Sequence, residues 1–235
     1  MPKPTAEQVA SLCALLTNPD PKIRDQGLAL LRLIEPTSWR GMFDGVNLDN
    51  IDLTATALVG VELAGARLNR AVLIDSDLTG SRLIKVSLQG ARLDRASLQS
   101  VDCSQADLRG ASLIQANLSG ARLSDARLHR ANLTGANLQR CRLSGAILLG
   151  ANLSNADLRD ADLSTATLRQ SDLSGADIRG ATWGGWIDLR GACLSGAQIH
   201  TLANMDLCGA DLSNMNLHGV KMGPLRHDHH TLWPT

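Results

Sequence analysis

The 235-residue chain reads as an all-β solenoid of about nine coils behind an N-terminal α-helical cap, and three observations predict it. An apolar residue recurs at every fifth position from Phe43 to Trp183, 29 consecutive positions; nearly all are Leu, with Cys103 and Ile178 among the exceptions. Two residues before each stands a smaller residue, such as Ala66, Ala91, Ala111 or Ala131. The 58 positions of these two columns hold no Asp, Glu, Lys or Arg, and the other three columns hold all 30 charges of the stretch. Burying unpaired charge is costly, so two columns face inward and three outward. Third, the two residues after each centre are often Gly, Ser, Asn, Asp or Thr, which are turn chemistry. Neither an α-helix nor a long strand generates a period of five. A short fixed period instead marks a solenoid whose units bury their apolar sides on one another.

The local geometry follows from that pattern. The centre and the residue two before it point the same way, as in a three-residue strand. The chain then turns a corner every five residues. The segment Ala106 to Leu138 shows the rule as A-x-L-x-x. On these residues the chain resembles the pentapeptide-repeat family, whose motif is A-(D/N)-L-x-x. The resemblance covers about three quarters of the chain and implies a right-handed quadrilateral β-helix in which four repeats make one coil.

The elements are taken in order. Residues 1–40 are expected to form a helical hairpin. Thr5 and Gln8 fit a capping box before Val9, Leu12, Leu15 and Leu16. Asp20 with Pro21 starts a second helix, which is expected to stop at Glu35-Pro36. Such a hairpin covers the open apolar face of a first coil. Residues 41–223 form the β-helix. The inward columns are bulkier near its start (Val46, Ile51, Val61), which predicts a wider first turn. The five-residue beat slips near 184–186, at Trp183-Gly184-Gly185-Trp186, and again near 201–204. Both slips are expected to protrude from flat walls. Seven later repeats bring the total to 36, a rod of roughly 43 Å at about 4.8 Å per coil. Residues 224–235 are read as a tail carrying His227, Asp228, His229 and His230, without zinc-finger spacing. Family resemblance implies pairing of two copies through this C-terminal end.

Composition bounds the function. There are 23 basic and 23 acidic residues, so nothing pulls the whole chain toward nucleic acid or anionic membrane. No run is long enough to span a bilayer. Five cysteines without paired spacing, and no visible signal peptide, point to a reducing, cytoplasmic setting. No catalytic motif is present, so a non-enzymatic protein without cofactor or metal is expected.

Function should therefore lie on the outer walls. Over residues 42–182, the wall of Leu68, Leu108 and Leu128 carries Arg67, Arg70, Arg109, Arg127, Arg130 and Arg169 against Asp49 and Asp107. That is six minus two, or +4, while the other walls are −2, −1 and −1. These arginines, with Trp183 and Trp186 at the first slip, are the candidate interaction residues. The leading reading is an interaction rod with an unidentified protein partner. Family resemblance implies an alternative, a DNA-mimicking protein that binds gyrase or topoisomerase IV and protects it from quinolone-type antibiotics; this sequence lacks the strongly acidic stripe such a mimic needs. A third reading is nucleic-acid binding through the arginine wall.

Overall fold

The computed structural model describes residues 5–18, 20–33, 41 and 43–235. Helix α1 (Ala6–Leu16) begins with the expected capping box: the Thr5 N–H donates to Gln8 Oε1 at 2.8 Å and the Gln8 N–H to Thr5 Oγ1 at 3.3 Å. Helix α2 (Pro21–Leu33) starts where Asp20 Oδ1 accepts the Lys22 N–H. The stop expected at Glu35-Pro36 lies outside the described residues. The two helices touch closely at Gly27, where an added Cβ would stand 3.0 Å from Leu15 Cβ. Leu12 and Leu16 are buried in the same apolar core as Phe43. Leu16, Phe43, Ile51 and Val61 help to line a small void of about 10 Å3, at the bulky inward residues that predicted a wider first turn.

From Phe43 onward the chain repeats one hydrogen-bonded pattern. With i the Leu position, residue i−1 forms a parallel bridge to its counterpart four repeats on: Asn47 to Arg67, Asp52 to Val72, Ala57 to Asp77 and Glu62 to Arg82. These four bridges recur in the same order, so each coil has four walls. The Leu residues and the Ala residues at i−2 are almost entirely buried and form one continuous core. Polar exceptions at i−2 are satisfied internally. Ser81 Oγ donates to the Leu58 carbonyl at 2.8 Å, and the Cys141 thiol to the Leu118 carbonyl. Burial pushes the Cys141 thiol up to about 12, so it serves as a small apolar residue.

Counting backbone donors explains why Asp or Asn favours i−1. The N–H at i and at i+2 donates to the following coil, as from Leu48 to Arg67 O and from Asn50 to Asn69 O. The N–H at i−1 donates to the preceding coil, and the N–H at i−2 closes a turn on the previous Leu, as from Ile51 to Leu48 O. Only the N–H at i+1 is left over, and orphaned donors are costly. A carboxylate or carboxamide at i−1 accepts it as an Asx-turn: Thr79 on Asp77, Ser119 on Asn117, Thr134 on Asn132 and Ser154 on Asn152, all within 2.9–3.2 Å. Where i−1 is Glu62, Arg67, Ser87 or Ser112, the acceptor comes from one coil earlier. Asp44, Asp49, Asn69 and Asp94 then take the N–H of Ala64, Asn69, Gln89 and Ile114. The turn also places i+2 at positive φ whatever its type, including Ala55 (53°), Arg140 (56°) and Thr165 (56°).

The two slips differ in kind. At the first, the bridge spacing grows by one residue, pairing Thr167 with Asp188 and Asp172 with Cys193. Gly184 and Gly185, at φ 45° and 113°, make the bulge. At the second the coil shortens. Strand β1 (Ile187–Asp188) pairs with β3 (Met205–Asp206), setting Ile187 opposite Met205, a smaller step than in the regular coils. The step is smaller because Leu202 and Met205 both turn fully inward soon after Ile199. This break is a tightened corner and not the protrusion the sequence suggested. The ladder then runs past Gly223. Strand β2 (Thr201–Leu202) pairs with β4 (Lys221–Met222), β3 with β5 (Leu225–Arg226), and Asp211 bridges Leu232. Thr231 is buried and donates to the Leu207 carbonyl at 2.9 Å. Residues 224–235, read from sequence as a tail, thus carry the solenoid onward. No helix among the described residues is long and apolar enough to cross a membrane.

Candidate interaction surface

The structure separates the arginines of the positive wall by what holds them. Arg67 Nη2 lies 2.5 Å from Asp49. Arg109 grips Asp107 through Nε at 2.8 Å and Nη2 at 2.7 Å, while its backbone N–H donates to the same carboxylate. Arg127 reaches Asp107 at 3.9 Å. Arg70, Arg130 and Arg169 make no ion pair among the described residues. Arg70 stands at a corner and, with Arg67, Asn50, Asn69 and Gln89, lines an open groove of about 480 Å3. The wall is therefore not one positive field, since its middle arginines are largely compensated. His129 lies between them with Nδ1 buried and unpartnered. Burial, then the charges of Arg127 and Arg109, push its ring toward the neutral form.

The tripeptide D-x-R is the unit behind the Arg109 clamp. It recurs as Asp157-Leu158-Arg159, Asp177-Ile178-Arg179 and Asp188-Leu189-Arg190, each with Nη2 at 2.6–2.7 Å. In these units the carboxylate turns in to the backbone and the guanidinium lies outermost. Across the ten ion pairs of the described residues the Arg side chains are 39–60% exposed, and every carboxylate except Asp75 is 15–28% exposed. Within most of these ion pairs the cation lies outside the anion, whereas Asp44, Asp75, Asp125 and Asp160 are themselves exposed. The hydrogen-bonded guanidinium lowers the carboxyl pKa of Asp157, Asp177 and Asp188, and the Ser164 hydroxyl does so for Asp162. A carboxyl with a depressed folded-state pKa stabilises above its unfolded value of about 3.9 and loses that contribution as pH falls through the folded value. Thermal melts should accordingly show a loss from His129 as pH falls below about 6.5 and a separate, steep fall from the carboxyls below about pH 4; a midpoint unchanged between about pH 4 and pH 2.5 would refute the inward-carboxylate scheme.

The two tryptophans part company. Trp183 occupies an inward position and is 7% exposed, with Nε1 unpartnered. Trp186, on the glycine bulge, is 51% exposed, and the Arg226 guanidinium sits 4.9 Å from its ring centroid. The C-terminal histidines form no metal cluster: among the described residues no three His, Cys, Asp or Glu converge. His227 instead packs edge-on against Trp233.

A second groove, of about 740 Å3, escapes a reading of the sequence wall by wall. It runs along the corner between two walls. Arg82, Arg122, Arg140 and Arg142 line it together with Glu62, Asp102, Gly60, Gly80 and Gly120. Charge counting by wall placed Arg140 on one face and the other three on the next, so the cluster disappeared into two totals. Counting around corners instead of along walls would have found it.

The model of pentapeptide repeats matches in eight copies over residues 47–83, 76–113, 111–148, 146–182 and 186–223. The chain belongs to the pentapeptide-repeat family. The pentapeptide-repeat fold is a right-handed β-helix, which agrees with the four-walled ladder seen here. A similar solved structure is HetL, a pentapeptide repeat protein involved in heterocyst differentiation regulation from the cyanobacterium Nostoc sp. strain PCC 7120. It is 32% identical over 78% of this chain and 88% of that one, with a TM-score of 0.44. QnrB1, a plasmid-mediated fluoroquinolone resistance protein, is 19% identical over 79% of this chain and 88% of that one, with a TM-score of 0.47. Rfr23 from the cyanobacterium Cyanothece 51142 is 28% identical over 56% and 90%, with a TM-score of 0.34. No curated protein sequence matched the chain.

Proposed function

We propose that this chain is a non-enzymatic interaction rod whose partner is a protein with an acidic surface. Pentapeptide-repeat proteins are generally non-catalytic. The observation that carries the reading is the layering of charge within most ion pairs: carboxylates occupied by backbone N–H groups beneath, guanidinium groups outermost. Arg pairs well with carboxylate in two-pronged geometry. The rod comprises about nine coils, the number of steps along one wall from Asn47 to Arg226, and α1 buries Leu12 and Leu16 in the same core as Phe43.

The competing reading is a DNA mimic that occupies a type II topoisomerase. A mimic needs an acidic outer face, and the layering of these ion pairs is the reverse. A supercoiling assay with purified gyrase, with and without a quinolone, separates the two. Micromolar protein is expected to leave supercoiling and quinolone arrest unchanged. Inhibition or protection would overturn the acidic-partner reading.

A further inference from the structure

We propose that the corner groove of Arg82, Arg122, Arg140 and Arg142 binds an acidic peptide segment of a protein partner. This rests on the reading of the chain as a protein-binding rod and assigns the surface and its ligand chemistry.

The charge of the groove follows from the bridge registers. Like charges placed directly opposite destabilise a ladder. Among the described residues three such pairs occur: Asp157 with Asp177, Asp188 with Asp206, and Arg122 with Arg142. Both acidic pairs are compensated from within the chain. Arg159 spans the first, 2.7 Å from Asp157 and 3.7 Å from Asp177. Arg190 lies 2.6 Å from Asp188, and Arg226 is bridge partner to Asp206. The basic pair makes one ion pair, between Arg122 and Asp102 at 4.0 Å. Asp162 is bridge partner to Arg142 but lies beyond ion-pair distance from it, and accepts the Ser164 N–H at 3.0 Å and the Thr182 hydroxyl at 3.4 Å. Arg140 adds a third guanidinium to the same groove. Four arginines against Glu62 and Asp102 leave four minus two, or +2. The one basic pair of the ladder is thus held by a single ion pair at 4.0 Å, whereas the acidic pairs are held by guanidinium groups at 2.6–2.7 Å.

The glycines of the lining specify the kind of anion. A Cβ added at Gly60 or Gly80 would meet nothing within 4 Å, so a ligand can approach the backbone there. The carbonyls of Gly60, Gly80 and Gly120 accept no backbone hydrogen bond among the described residues. They offer acceptors to peptide N–H groups, which a sugar-phosphate backbone does not carry. Glu62 and Asp102 oppose a long row of phosphates that spans the whole groove, whereas a short peptide can place its carboxylates at the arginine end alone. The mixed lining therefore favours an acidic peptide over nucleic acid.

Fluorescence anisotropy with the full-length chain tests this, using labelled hexaglutamate, labelled hexaglutamine and single-stranded dodecathymidylate at low salt. Hexaglutamate should bind and hexaglutamine should not. Arg140→Gln with Arg142→Gln should weaken hexaglutamate binding at least ten-fold, and Lys22→Gln with Lys221→Gln, two exposed cations outside both grooves, less than two-fold. All four positions are outward, and circular dichroism verifies that both variants fold. Three results overturn the assignment: no hexaglutamate binding by the parent chain, equal loss in both double variants, or dodecathymidylate binding that is as tight and lost in the same variant. Each removes the groove while the gyrase assay still judges the rod independently.

Discussion

Leu138→Ala should lower the unfolding free energy by about 3–5 kcal/mol, the range for removing a fully enclosed Leu side chain. Leu138 has no exposed surface. Its N–H is tied to Asp157 O at 2.7 Å in the next coil, and its carbonyl closes the turn from Cys141. The backbone on both sides is therefore held by the ladder and cannot collapse into the space left behind. Denaturant unfolding followed by circular dichroism measures the loss. A change below about 1 kcal/mol would mean that the coils slide together.

Gly180→Ala should cost about 2–4 kcal/mol, from two separable causes. Gly180 sits at φ 77°, where a Cβ is strained, and that Cβ would collide with Asp160 Oδ1 in the preceding coil. Adding Asp160→Gly relieves the collision and leaves the strain, so the double variant should recover part of the loss. Thr165→Gly is the converse. A β-branched residue at φ 56° is an outlier, and its replacement should raise the melting temperature. A fall there would show that the i+2 conformation costs this chain nothing.

The fold was legible because its causes are local and repeated. A Leu at each fifth residue, an Ala two before and uncharged inward columns require nothing beyond the sequence. The Thr5–Gln8 capping box was equally plain, since both partners lie within one turn. What escaped depends on neighbours a full coil apart. Asp107 is a carboxylate in any reading of composition, but the structure turns it toward the backbone and folds Arg109 over it. The wall total of +4 therefore overstated the free charge. Arg140 fell into the total of one wall while Arg122 and Arg142 fell into the next, although all three line one groove. The second slip misled because Leu202 lies three residues after Ile199, and sequence does not say whether an irregular spacing bulges out or tightens in. Residues 224–235 lack the pentapeptide pattern, yet β5 finds β3, and Thr231 supplies the buried hydroxyl that ties Leu207.

The Asx-turn scheme has a consequence for how this protein can change length. Each coil closes its own hydrogen bonds using only residues one coil above or below. Loss or duplication of a whole coil within the regular run therefore rejoins every wall to itself. Loss of a single repeat also preserves the beat, but it rotates everything downstream by a quarter turn. Such an event between Arg122 and Arg140 would leave a well-packed rod whose arginines no longer share a corner. Inheritance of the fold tolerates steps of one repeat; inheritance of the groove tolerates only steps of a complete coil.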